Sequence, residues 1–427
     1  MRTRISQMRF FKCPCGGIGI RARFRSVCLD RHAGSNPVMG TKKSKIIQKK
    51  LFRHNMKILL LEPYYTGSHK QWADGYKHYS DNEIRILKMR GQFWKWRMHG
   101  GAITLAKEFN KMSWQPDRIL STDMLDLTTF LALTKHRTSG IPTAIYFHEN
   151  QLSYPWSHYD RDVKNKRDSH YGFINYSSAL AADRLFFNSK FHLDSFVNSI
   201  KSFLKQFPDY QEKETSKVIE KKSEVLYIGI DFKEIDKYKV SKDDDPIIIW
   251  NHRWEYDKNP KLFFDALEII KKEGYKFKLV ILGENFSKTP EIFNRSKKYF
   301  KDHILHWGYA DSFEEYAKWL WRSHILPVTS NQEFFGVSVM EAIYCGIWPI
   351  LPKRLTYPEL IPNNSDNFYG KKEELCQKIK WAIKNYQMID TKDLQNKAEM
   401  FCWKNMKNKY DQSMRKISTN FGYLFEQ

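Results

Sequence analysis

Two carboxylates eight residues apart, Glu333 and Glu341, and two cations five residues apart, Arg253 and Lys258, carry the chemistry for which this sequence can be read. Glu333 stands in a polar turn after the apolar run His324 to Thr329 and just before Phe334-Phe335-Gly336. Glu341 lies in a helix-period run of Val337, Met340, Ala342 and Ile343, which Cys345-Gly346 closes before a second apolar run, Trp348 to Leu351. That is strand, loop, helix, strand: the parallel βαβ unit. Ligands of such units bind at the C-terminal strand ends, where a helix N-terminus offers free N–H groups to a phosphate. Gly336, between Phe335 and Val337, lets the backbone come close to one. Carboxylates cannot hold phosphate, so a hydroxyl-rich sugar or ribose is the natural partner of Glu333 and Glu341; the plain alternative for Glu341 is a solvated helix position. Arg253 and Lys258 sit in NHRWEYDKNP, which leads from a strand to a helix. Arg253 by its fork and Lys258 as a point charge can clamp a diphosphate from two sides, unless the loop is merely solvated.

The first half repeats the logic. After the strand Lys57 to Leu61, Pro63 is expected to end the strand, and Gly67-Ser68 to form a turn and N-cap before a helix from about Lys70. This is a second candidate anion cradle. Phe93 to His99 (FWKWRMH) interleaves aromatics with cations, as a stacking platform for bases requires. The alternative puts Trp94 and Met98 in a core and Lys95 and Arg97 in solvent. A further helix opens at Gly100-Gly101-Ala102. The strand Thr143 to Phe147 runs into His148-Glu149-Asn150, and a His at such a strand end can hydrogen-bond a sugar hydroxyl.

These units need positioning elements, and the chain supplies them in two runs. Strands are expected at Arg118 to Thr122, Arg184 to Phe187, Ile247 to Trp250, Phe277 to Leu282 and Ile304 to Tyr309. Asp123 and Asp126 are expected to flank the helix between Thr122 and Thr143, and Asn188-Ser189 and Asp311 to cap helices. Lys201 to Ser223 reads as a solvated helical excursion and Val225 to Asp231 as the bridge between halves. The boundary falls at Asp243-Asp244-Asp245-Pro246. Two doubly wound α/β domains facing across a cleft follow, 56–240 and 241–400, with a final amphipathic helix in 401–427.

At 427 residues, 41% hydrophobic and 15% aromatic, the chain is globular, and no apolar run approaches the roughly 18 residues that cross a membrane. Its net charge of +23 points to an acidic partner. Residues 1–55 hold 14 of the 71 Lys and Arg but only one acid, Asp30, leaving 57 basic against 47 acidic residues beyond. This tail has no apolar stretch after its arginines. It reads as a start-site artefact or a disordered extension, with a mitochondrial transit peptide as the alternative. Cys13, Cys15 and Cys28 lie in it and make a poor metal site; Cys345, Cys376 and Cys402 are scattered, as in a reduced cytosolic protein.

The E-x7-E pattern after R-x4-K resembles the donor site of retaining GT-B glycosyltransferases. More specifically, LEPYYTGSHKQWADG, KWRMHGG, YFHENQLSYPW and NHRWEYDKNP resemble the tRNA-queuosine α-mannosyltransferase family. The resemblance implies transfer of mannose from GDP-mannose, or another nucleotide sugar, to queuosine in a tRNA anticodon, with a lipid or polysaccharide acceptor as the alternative. It implies His148, Glu333, Arg253 and Lys258 as catalytic residues. Gly67, Phe335, Gly336, Val337 and Glu341 would join the two cations on the donor, with Glu341 at the ribose. Ser68, His69, Trp94, Trp96, Arg97, Glu149 and Asn150 would line the rest of the substrate site. No metal is expected, since the cations neutralise the leaving group and the one acidic run, Asp243 to Asp245, sits at a linker.

Overall fold

The computed structural model describes residues 55–156, 162, 169–283, 290–361 and 365–419. The basic tail with Cys13, Cys15 and Cys28 lies outside the described residues. Short apolar runs become two six-stranded sheets in which the pairing is parallel throughout. The first holds β1 (Lys57–Tyr65), β2 (Glu83–Arg90), β3 (Arg118–Thr122), β4 (Thr143–Phe147), β5 (Arg184–Phe187) and β6 (Ser223–Val225). The second holds β7 (Ile247–Asn251), β8 (Lys278–Leu282), β9 (Ile304–Gly308), β10 (Ile325–Pro327), β11 (Trp348–Pro352) and β12 (Phe368–Tyr369). Their orders are β2-β1-β3-β4-β5-β6 and β9-β8-β7-β10-β11-β12. The chain therefore reverses direction across the sheet between β1 and β3, and again between β7 and β10. These switch points open crevices at the strand C-termini.

Helices cover both faces of each sheet, so the central strands are apolar throughout: Ile58 to Leu61 and Ile247 to Trp250 are wholly buried. Edge strand β2 differs. In its EIRILKMR only Ile84 is buried and the other positions are exposed or half-buried, with Arg85, Lys88 and Arg90 as its cations. The helix Trp403–Arg415 lies against the helix Gly67–Tyr79 of the first half. The Trp403 ring stacks 6.0 Å from Tyr76, Trp72 Nε1 donates to Tyr410 Oη at 2.9 Å, and Ser80 Oγ donates to Asp411 at 2.6 Å. Gly75 and Gly229 make room for this: a Cβ on either would stand 2.0 or 2.4 Å from the Trp403 ring.

Several local expectations are corrected. Pro63 does not end β1, which runs on to Tyr65 through a register shift after Glu62 that accommodates the missing N–H. The first helix starts at Gly67 behind an extended Thr66, so Ser68 is in its first turn rather than at its cap. Gly100 and Gly101 do not open a new helix; one helix runs Trp94–Lys111 through them, since Gly101 packs near Pro63 and Leu125 and Gly100 against Trp96. Ser312, not Asp311, caps Phe313–Arg322, its Oγ accepting from Glu315 N at 3.1 Å while Glu315 reaches back to Asp311 N.

Candidate active site

The second-half crevice is built from the loops after β7 and β10. A tight turn, Tyr256–Lys258, leads to Asn259 in a left-handed conformation (φ 50°), whose side chain caps the helix Pro260–Lys272. Thr329 Oγ1 donates to the Lys258 and Asn259 carbonyls at 2.9 and 3.0 Å, and Asn331 N donates to Asp257 O at 2.7 Å. The loops are thus stitched before any ligand arrives. Inside the seam Lys258 Nζ lies 3.1 Å from Glu333 Oε2 and 3.2 Å from Asp257 Oδ2, and donates to the Gln332 carbonyl. Burial works to lower the pKa of this lysine, but Glu333 and Asp257 hold it above the ordinary value. Arg253 is different: its side chain is 47% exposed, with Glu255 at 3.3 Å. One cation is a buried strut and the other is open to the cleft, so they are not an equivalent pair.

Glu341 is not a solvated helix residue. It is buried in the helix Val337–Tyr344 and accepts from Tyr316 Oη at 2.6 Å. Burial pushes its carboxyl up to about 7, against that hydrogen bond. Gly336 caps this helix at φ 87°, a conformation in which other residues are strained; a Cβ there would meet nothing closer than 3.4 Å, so backbone angle rather than space calls for glycine. Val337 is half-buried at the next position, whereas Phe335 is buried beside Phe401 and Tyr227, in the core rather than at a ligand face. Of the buried polar atoms without partners among the described residues, Asn251 Oδ1, His252 Nε2, Asp257 Oδ1, Ser330 Oγ and Gln332 Nε2 gather at the end of β7 and in the loops after β7 and β10. Such a cluster at strand ends is consistent with a ligand that would supply the missing partners.

The first-half crevice gathers His148, His69, Asp123 and Glu62. His148 directly follows β4, its N–H donating to Asp123 Oδ1 at 2.8 Å and its carbonyl accepting from Asn188 Nδ2 at 2.9 Å. Its ring packs on His69 (4.2 Å), Trp72 (4.7 Å) and Tyr146 (4.9 Å), and Nε2 is buried without a partner. Burial, then the neighbouring His69 and His192, keep it neutral, far below the usual imidazole range. Burial also lifts Asp123 to about 8, against the pull of His69. Gly67 (φ 49°) and Ser68 are exposed at the rim, where nothing stands within 4 Å of a Cβ built on Gly67. Glu149 is half-buried and accepts from Gln151 Nε2 at 3.0 Å. Asn150 is fully buried, and its Oδ1 serves the local turn through Leu152 N and Ser153 N, which leaves only Nδ2 unpartnered.

The aromatic run divides. Trp94 and Met98 face a small core with Met124, Tyr171 and Ile174, and Lys95 pairs with Asp162 at 2.5 Å. On the outer face Phe93 and Trp96 are exposed, Trp96 by 62%, and Arg97 is half-buried beside them. Arg97 Nε donates to Arg90 O at 3.1 Å, Arg90 pairs in register with Tyr65, and a Cβ on Gly91 would touch Thr66. The exposed aromatics therefore adjoin Thr66 and the start of the helix that carries Gly67 to His69.

The halves meet at this level. Tyr154 Oη donates to Asp257 Oδ2 at 3.2 Å, Tyr256 Oη to Pro155 O at 2.6 Å and Ser189 Oγ to Phe334 O at 2.6 Å, while His192 stacks on Phe334 at 3.9 Å. Glu359 accepts from Lys190 N and Phe191 N at 2.7 and 3.1 Å, capping a first-half helix from the second half. Sequence reading passed over Glu62, Asp257, Tyr154, Tyr316 and Glu359. Only Glu62 and Asp257 left a signal, as acids directly after a buried strand and between the two cations.

Among solved structures, Anabaena HepE in complex with UDP-glucose superposes with a TM-score of 0.62, at 16% identity over 84% of this chain and 100% of that one. Sucrose-phosphate synthase from Thermosynechococcus elongatus gives 0.59 at 12% identity, over 85% and 99%. Residues 231–400 match the family of glycosyl transferases group 1. With two Rossmann-like domains meeting at their switch points, the protein is a GT-B glycosyltransferase. Residues 57–230 match the tRNA-queuosine alpha-mannosyltransferase N-terminal family, and the Drosophila melanogaster tRNA-queuosine alpha-mannosyltransferase is 37% identical over 336 residues, 75% of this chain and 85% of that protein. The chain belongs to the tRNA-queuosine alpha-mannosyltransferase family.

Proposed function

We propose that this chain transfers mannose from GDP-mannose to the cyclopentenediol of queuosine in a tRNA anticodon, with retention and in the cytoplasm. The observation that carries the donor half is the Lys258–Glu333 pair at 3.1 Å, held at a switch point beside an open Arg253. Arg253 takes the diphosphate, and Lys258 holds Glu333 where it orients the transferred sugar. His148, neutral and with Nε2 free, hydrogen-bonds a sugar hydroxyl. The leaving phosphate accepts the proton of the acceptor hydroxyl, so no protein nucleophile and no metal is required, and Arg253 with the Val337 helix end stabilises the charge that develops. On the acceptor side, exposed Trp96 and half-buried Arg97 suit unstacked anticodon bases and backbone phosphates. The name of the Drosophila relative supports this acceptor.

The test is mass spectrometry of tRNA nucleosides after incubating the full chain with queuosine-containing tRNA and GDP-mannose. A hexose-sized increase on queuosine, lost in Glu333→Ala, is expected. No increase with any nucleotide sugar would remove tRNA as acceptor and leave a lipid or polysaccharide.

Donor binding should depend on pH through Glu341. Ribose hydroxyls donate to its ionised form, and as pH falls through about 7 the buried carboxyl takes a proton and loses acceptor capacity. Affinity should fall by up to about tenfold per unit below pH 7. Calorimetric titration checks this, and Glu341→Gln should flatten the dependence.

A further inference from the structure

Glu62 has no part in the mechanism above, yet it is the most buried acid in the first-half crevice, with no exposure at all. It stands at the C-terminal part of β1, beside the switch point. Its Oε1 accepts from Tyr64 N at 2.8 Å and its Oε2 lies 3.1 Å from His69 Nδ1. A buried carboxylate is costly unless a cation and N–H donors compensate it. Among the described residues the cationic group within salt-bridge distance of Glu62 is His69, itself 7% exposed.

The ligand atoms of Glu62, His69 and His148 lie within 4.8 Å of one another, a spacing that would also admit a metal ion. Two features speak for a carboxylate–imidazolium pair instead. Both Glu62 oxygens are already engaged by nitrogen donors. The two imidazoles lie one over the other, with centroids 4.2 Å apart and planes 35° from parallel, whereas two rings sharing an ion point their edges at a common centre.

We propose that Glu62 is a positioning residue of the transfer reaction: it holds His69 with Nδ1 protonated and so presents that ring's Nε2–H to the diphosphate oxygens of the donor. The inference rests on the glycosyl-transfer reading above. His69 lies in the first turn of the helix Gly67–Tyr79, whose N-terminal dipole adds to the same positive potential. An imidazolium in this place would share the leaving-group charge with Arg253 from the opposite half. The groups that face His69 are Glu62, Tyr64, Asp123, Glu149 and His148. Burial alone would lower its pKa, but Glu62 first, then Asp123 and Glu149, raise it to about 9, while His148 stays neutral.

The experiment is the pH profile of kcat/KM for the donor in the wild type and in Glu62→Gln, which keeps the volume and the acceptor for Tyr64 N. The imidazolium is lost as pH rises through its pKa. The wild-type alkaline limb is therefore expected near 9, and that of Glu62→Gln at or below the ordinary histidine value of about 6.5. At pH 8 the variant should be about 30-fold slower than the wild type, and at pH 6 within a few-fold. His69→Gln should lose the limb and be slow at every pH. Histidine side-chain NMR titration reads the His69 pKa without any turnover, so it decides the Glu62–His69 coupling even if the wild type transfers nothing to the acceptor tested, an outcome that would sink the transfer reading alone. An unmoved limb in Glu62→Gln, a loss equal at all pH values, or stoichiometric metal in the purified protein would overturn the proposal.

Discussion

Lys258→Ala is expected to abolish transfer and to destabilise the protein by about 3–5 kcal/mol, the usual cost of breaking a buried ion pair from one side. The residue is buried, and its ammonium sits between Asp257, whose side chain is 1% exposed, and Glu333. Without it two carboxylates share a poorly solvated pocket, and the Gln332 carbonyl loses its donor. Lys258→Met keeps most of the stem and should recover packing but not charge, so its stability should fall between the two. The pH dependence carries the signature. Asp257 is held below its ordinary pKa, with Lys258 and then Arg253 outweighing the effect of burial. A depressed carboxylate contributes stability that is full above its unfolded value of about 3.9 and is lost as pH falls through the folded value. In Lys258→Ala most of that contribution is gone at neutral pH, so the gap from wild type should narrow as pH falls below about 4. Urea midpoints between pH 3 and 8 measure this. A constant gap would show that packing, not charge, is what the lysine supplies.

How much of this was legible depends on how local the cause was. Thr143–Phe147 and Arg184–Phe187 read correctly to the residue because buried parallel strands are continuous apolar runs, which need no partner to be recognised. Edge strand β2 was missed for the converse reason: with one side open to solvent, EIRILKMR keeps its charges, and only pairing with β1 makes it a strand. Two-residue β12 leaves no pattern at all. The same distinction holds at the site. The types and spacing of Arg253, Lys258, Glu333 and Glu341 were visible, because each follows a strand end in its own unit. That Lys258 is spent on Glu333 while Arg253 is open was not visible, because it is decided by loops 75 residues apart in the chain. Trp94 and Trp96 show the limit of composition. Both are tryptophans in one helix turn, yet one faces Tyr171 and Trp156 and the other faces solvent. Asn150 reads as a ligand by type, but a turn takes its Oδ1 and leaves only Nδ2 unpartnered, a division no sequence pattern shows.

Arg253→Ala should give the opposite profile to Lys258→Ala: a loss of activity of about 10²–10³-fold, the scale of removing one preorganised donor from a developing anion, with stability changed by no more than about 0.5 kcal/mol. The side chain is 47% exposed and its salt bridge among the described residues, to a 29% exposed Glu255 at 3.3 Å, is a partly solvated pair worth little to the fold. Beyond its share in keeping Asp257 ionised, what the fork of Arg253 contributes is expected to go to a ligand. If that ligand is the donor diphosphate, the loss should appear in kcat as well as KM, because charge grows on the leaving oxygens only as the sugar bond breaks. Arg253→Lys should recover part of it, since an ammonium keeps the charge but not the two parallel hydrogen bonds. Donor titration by calorimetry alongside steady-state kinetics separates the cases. A variant that binds donor weakly but turns over at the wild-type rate would confine Arg253 to ground-state binding, and one unaffected in both would move the diphosphate away from the end of β7.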